Sequence, residues 1–320
     1  MPLTESKVLL REDSQLLMIG VENSYADDAT PGPVQAILGE DVDVTVERKT
    51  EQSNESRGFL GAGSTATIHS HVNVSLTVKL GGSKDGTATT PPPYNDLYLG
   101  CSLAGVVEAD RVAYNIVGKG KSLSIYYMIE DELHKIVGCI GDAEFVLGTD
   151  AMPRLKLTLK GLYLTPGTGT RPDPADIDYT GWGNPLAPNS KNIQRVEYFG
   201  HKLRMSELTL KMGVGLVYAN VAYQEFVDGP TREGSVSITF IADDLATINF
   251  YELADRNASS ELNYQLGDMA TNVGHVFGLN IPNLQIKDIK KTFKDKIKYF
   301  QLDCAIVPLT ANSDFNFFHA

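Results

Sequence analysis

Cysteine is scarce. Cys101, Cys139 and Cys304 are the only three in 320 residues, too few and too scattered for a disulfide framework or a zinc cluster. The single tryptophan, Trp182, leaves little material for an aromatic platform. No apolar run approaches the roughly 20 residues a membrane-spanning helix needs. The opening MPLTESKVLLREDSQ has no basic stretch followed by an apolar one, so no signal peptide is expected. Basic residues are outnumbered, 28 Lys and Arg against 40 Asp and Glu, for a formal charge of -12. A protein that clamps nucleic acid needs a basic face to displace counterions from phosphates, so that class is disfavoured. The expectation is a soluble chain of a reducing compartment with no membrane contact. At 42% hydrophobic residues it can fill a core, and its length suits one large domain or two ordinary ones.

What is present is punctuation and alternation. Twenty-nine glycines and fifteen prolines divide the chain into short runs. Asp41 to Glu47 places valines on one side and Asp41, Asp43, Thr45 and Glu47 on the other. Val72, Val74, Leu76, Val78 and Leu80 alternate with polar residues, and so do runs at 123–129, 155–159, 208–212, 236–240 and 297–299. A period of two marks half-buried strands. Two helices are expected, one just after the triple proline at Tyr94–Leu99 and one from Asp243 to Ala254 with its acidic residues in the first turn. The fold class is mainly β, antiparallel.

Residues 165–192 hold five prolines and four glycines and read as a linker. On either side the order of features repeats: strands, a helix, a His-containing segment (His134 or His275), then a strand ending near Pro166 or Pro308. Gly138 and Gly278 are 140 residues apart, while Ser75–Val78 and Ser235–Ile238 are offset by 160. The loop Gly81–Pro93 absorbs most of that difference. The expected division is an N-terminal arm (1–32), a first β domain (33–164), the linker (165–192), a second β domain (193–310) and a C-terminal tail (311–320).

Catalytic patterns are missing. Asn115 to Ser122 lacks the first glycine of a P-loop and leads into a strand, so it reads as a glycine-lysine turn. Gly61–Ala66 has no βαβ unit around it. His69 and His71 share one strand face but have no third ligand nearby, and are expected to be exposed polar residues. No cofactor or metal is expected, and no enzyme. The charge is uneven: residues 1–60 hold twelve acidic and five basic side chains, whereas 287–298 hold six lysines and two aspartates. The lysine run reads as a solvated hairpin or as a contact with an acidic patch on another copy.

From Leu9-Leu10-Arg11-Glu12 onward, the order of features resembles the tail tube proteins of long-tailed bacteriophages. The strand ending near Val46-Glu47-Arg48 is followed by a polar hairpin, Val72–Leu80 and the Pro91–Cys101 passage into a helix. Then come Ser122–Tyr127, Gly138–Phe145 and Pro153–Gly161. The resemblance implies β-sandwich or half-barrel domains with flanking short helices. These close into rings whose inner strands form one barrel, and the rings stack into a tube through which viral DNA passes without specific binding. With two domains per chain a trimeric ring of pseudo-sixfold symmetry is expected; with one elaborated domain, a hexameric ring. The place implied is the virion tail, assembled in the host cytoplasm, with tape-measure, tail-terminator and distal tail proteins as further partners. Asp41, Asp43 and Glu47 become lumen candidates. Arg48, Lys49, Glu51, Glu55, Arg57 and Phe59 become hairpin contacts to a neighbouring ring or subunit, and Lys290, Lys291 and Lys294 basic contacts. Rival readings are a tail-terminator or baseplate ring protein, and a carbohydrate-binding β-sandwich module relying on Trp182.

Overall fold

A computed structural model of the chain describes residues 15–53 and 62–320. The first half contains β1 (Gln15–Val21), β2 (Glu40–Gln52), β3 (Thr65–Lys79), α1 (Asn95–Gly100), β4 (Leu103–Val107), β5 (Val112–Ile116), β6 (Leu123–Ile129), β7 (Glu132–Gly148), β8 (Arg154–Tyr163) and a two-residue β9 (Gly167–Thr168). The second contains β10 (Ile193–Tyr198), β11 (His201–Lys202), β12 (Met205–Lys211), β13 (Val214–Val221), β14 (Gln224–Arg232), β15 (Ser235–Ile241), α2 (Phe250–Asp255), β16 (Ser259–Leu266), β17 (Phe277–Lys294), β18 (Ile297–Ile306) and β19 (Asn316–His319). The chain is mainly β, as the alternation implies.

Both halves follow one topology. Neighbouring strands run β2-β3-β8-β7-β6-β1 in the first half and β12-β15-β18-β17-β16-β10 in the second, every pair antiparallel. A short helix follows the matching strand in each, α1 after β3 and α2 after β15. The register breaks recur as well. Pairing slips at the start of β2 and of β12, and again midway along β7–β8 and along β17–β18. A bulge adds one residue and bends its strand. The two halves thus share strand order and several register breaks, while the slips at Lys49/Thr50 and Ile193/Arg195 belong to one half only.

The halves are joined edge to edge. β12 pairs along the end of β7, from Glu207 opposite Gly148 to Lys211 opposite Glu144. This makes β2-β3-β8-β7-β12-β15-β18-β17 one continuous eight-stranded sheet. One hydrophobic core runs beneath it. Val74, Leu76, Phe145, Leu159, Leu208, Leu210, Ile238 and Leu302 are buried there, with Tyr98 of α1 and Phe250 of α2. Tyr98, Tyr114, Phe145 and Phe317 pack ring against ring at 4.8–6.2 Å. Two of the buried hydroxyls are held by the backbone: Tyr94 donates to the Gly81 carbonyl and Tyr198 to that of Leu284, both at 2.8 Å.

Several segments differ from the sequence expectation. Residues 15–21, expected within the arm, are β1, hydrogen-bonded along β6 with Leu17 and Ile19 buried; residues 1–14, with the Leu9–Glu12 opening, lie outside the described residues. The expected tail carries β19, inserted between β17 and β5 with Phe317 1% exposed. Residues 165–192 are largely irregular but anchored: Trp182 packs on Tyr94 with centroids 5.8 Å apart, and Asp178 N donates to the Pro33 carbonyl. The second helix begins only at Phe250. Asp243 is instead bound by His201 at 3.0 Å and by Arg204, Asp244 turns the chain by accepting from Ala246 N, and Asn249 caps α2 through Glu252 N. Those side-chain bonds compete with helix formation.

Candidate assembly surface

The helices lie on the core face of the eight-stranded sheet, so its opposite face carries the alternating polar residues. On β2 the exposed Asp43, Thr45 and Glu47 alternate with half-buried Val42, Val44 and Val46. Thr45 Oγ1 donates to Asp43 Oδ2 at 2.9 Å, the Asn73 amide donates to Glu47, and His71 Nε2 lies 3.0 Å from Glu47 Oε2. Asp41 is exposed but sits in the opening bulge with φ 52°, outside the regular alternation. Three of the lumen candidates are therefore on β2, two of them in one regular row.

Further across this face the charge is mixed. Glu144 stands opposite Lys156 on β8 and Lys211 on β12, with Lys211 Nζ 3.3 Å from Glu144 Oε2. Asp303 takes an ion pair from Lys290 and a hydrogen bond from Ser237 Oγ at 3.0 Å. The Lys290 hydrogen bond holds the Asp303 carboxyl below its usual range. The acidic character is local to β2. Lys211 and Lys290 on the same face stand beside carboxylates, which shields their charge from phosphates.

The hairpin candidates separate. Arg48 places its guanidinium 5.6 Å from the Tyr163 ring centroid, while Lys49 and Glu51 are exposed. Glu55, Arg57 and Phe59 lie outside the described residues. The three lysines do not form one cluster. Lys290 is on the polar face, Lys291 points to the helix side with Nζ 5.1 Å from the Tyr251 ring centroid, and Lys294 lies 3.7 Å from Asp150.

His69 and His71 share a strand face as expected, but His71 is buried and His69 only half-exposed. Tyr218 of β13 covers them at centroid distances of 5.0 and 4.7 Å. Burial, then the nearby Lys160 charge, pushes the His71 pKa down. The β13–β14 ribbon as a whole folds across the first half: Val214 N donates to Asp142 Oδ1 at 3.0 Å and Val227 N to Tyr25 Oη at 2.6 Å. Sequence reasoning also passed over Glu22. It is 3% exposed and accepts from Ser124 Oγ, Gly138 N and Ala26 N at 2.7–2.9 Å. Gly138 is required there, because its φ is 62° and a Cβ would lie 2.9 Å from the Tyr25 ring.

Among the described residues no group of three or more His, Cys, Asp or Glu could hold a metal ion, and no helix is long and apolar enough to cross a membrane. All three thiols are buried; burial raises each pKa, that of Cys304 to about 12. Trp182 is tilted against Tyr94 and half-buried, so it offers no flat exposed platform. No protein-family model matches the chain, and no curated protein matches it in sequence.

Proposed function

We propose that this chain is a structural protein that assembles into stacked rings forming the tail tube of a bacteriophage virion, a conduit for DNA during ejection. The observation that supports this best is the repeated module carried on one continuous sheet, helices on one side and hydrogen-bonded polar residues on the other. Each module contributes four strands, so a chain supplies two of the six units of a pseudo-sixfold ring, and three chains complete it. About 24 strands spaced about 4.8 Å apart give a backbone diameter near ~37 Å, widened further by strand tilt. The polar sheet face would line the passage, with Asp43 and Glu47 toward DNA and the β13–β14 ribbon, which lies over that face at His69, His71 and Asp142, narrowing it; the core face and helices would lie outside. Tape-measure, terminator and distal tail proteins are the further partners of such a tube.

Negative-stain electron microscopy of the concentrated protein tests the reading. Hollow tubes of uniform width are the expected result. Single closed rings that never stack would instead indicate a tail-terminator or baseplate role.

A further inference from the structure

The chain contains one finished junction between modules and both unfinished halves of a second. In the finished one, β12 covers the end of β7. Leu208 and Leu210 meet Leu147 and Phe145 on the core face, all 0% exposed, while Lys211 meets Glu144 on the polar face. Thr149 N donates to the Ser206 carbonyl and Met212 N to that of Ala143, both at 3.0 Å, extending the ladder at each end. The repeat places β2 where β12 stands and β17 where β7 stands. Yet among the described residues β2 pairs on one side only, with β3. β17 has β16 along one edge as far as Gln285, and beyond that residue no strand among the described residues covers the same edge.

These two open edges complement each other on both faces. Toward the core side, β2 presents half-buried Val42, Val44 and Val46, and β17 presents Ile289, Lys291 with its ammonium over the Tyr251 ring, and Phe293, the last 73% exposed. A phenylalanine so exposed beside an open strand edge is an apolar group lacking its cover. Toward the polar side, β2 carries Asp43, Thr45 and Glu47, and β17 carries Lys290, Thr292 and Lys294. The signs are the reverse of the finished junction, where the lysine is on β12 and the carboxylate on β7.

Resting on the ring reading, we infer that β2 of one copy adds antiparallel to the Ile286–Lys294 edge of β17 in the next, reproducing the β12–β7 junction between molecules. Registers that keep the valines on the core face differ by two residues. One of them sets Asp43 opposite Lys294, Thr45 opposite Thr292, Glu47 opposite Lys290 and Val44 opposite Phe293, so that both carboxylates of the row meet a lysine; Val46 then stands opposite Lys291, whose ammonium stays over the Tyr251 ring. The contact is head to tail, which generates a closed ring when the rotation per copy divides the circle. It also removes the open edges that would otherwise recruit strands indiscriminately.

The test is a disulfide across the seam in the full chain carrying Thr45→Cys and Thr292→Cys. The native thiols are buried and silent. Within one chain the two positions are seven strand intervals apart, roughly 34 Å along the sheet, beyond the ~7 Å reach of a disulfide. Oxidised assemblies should show bands of one, two and three linked chains on non-reducing gels, with each single variant unlinked. In parallel, Asp43→Lys or Lys294→Asp alone should raise the concentration needed for assembly about tenfold, and the two together should restore it. Rings or tubes that form while the cysteine pair stays reduced would overturn this seam and leave the tube reading standing. A double charge reversal that fails to recover would overturn the register. A wild-type chain that stays monomeric at every concentration would overturn the seam and the tube reading together.

Discussion

Leu210→Ala and Val44→Ala remove side chains from matching strands of the two modules, one inside a finished junction and one beside an open edge. Leu210 is fully buried between β7 and β15. Its truncation leaves a cavity beneath a paired ladder that cannot collapse, and should cost about 3–5 kcal/mol of monomer stability. Val44 is only half-buried in the single chain. Losing two methyl groups there should cost about 1 kcal/mol, since part of that surface already meets water. The assay is urea unfolding by tryptophan fluorescence and circular dichroism at a concentration where no assembly forms, followed by sedimentation across a concentration series. Leu210→Ala should shift the unfolding midpoint strongly. Val44→Ala should shift it little but raise the concentration required for assembly several-fold. Equal monomer losses for both, or unchanged assembly of Val44→Ala, would refute the argument that β2 is a junction strand awaiting its partner.

Two further outcomes follow from buried groups. His319 is held neutral in the core with its pKa lowered to about 3 by burial, its Nε2 3.1 Å from Tyr98 Oη. Because the unfolded histidine takes a proton near pH 6.5 and the folded one does not, stability is full above that pH and falls as pH drops toward 3. The slope is up to about 1.4 kcal/mol per pH unit, and His319→Gln should abolish that part of it in pH-dependent unfolding. Cys101, Cys139 and Cys304, buried with raised thiol pKa values, should resist maleimide in the native protein and react fully in denaturant; rapid native labelling would contradict the packing.

Alternation made the sheet legible, because half-buried strands such as β3 and β8 write their burial directly into the period of two. The strand at 123–129 was legible too, but not its burial on both sides: Tyr126 and Met128 of β6 face a small second core with Leu16, Met18 and Ala36 where a polar face was expected. The repeat could be noticed from a few aligned glycines and prolines, whereas the shared strand order of the two halves shows only in the pairing. Asp243 carried a helix-start signal that His201 and Arg204, some forty residues away, overrode. The covering of His69 and His71 by Tyr218 was likewise invisible, since no local pattern reports a ribbon folding back from the second half. Asp43 and Glu47 could be placed on one exposed strand face because they alternate. The open edge of β17 could not be read, because an unmade hydrogen bond leaves no mark on the sequence.

The central claim is that three chains, each carrying two modules, close one barrel with its polar face inward. Helical reconstruction of assembled tubes by electron cryomicroscopy tests it most directly. The account requires threefold symmetry that approximates sixfold, Asp43 and Glu47 at the lumen, and α1 and α2 on the outer wall. True sixfold symmetry with one chain per sixth, or helices lining the channel, would contradict it.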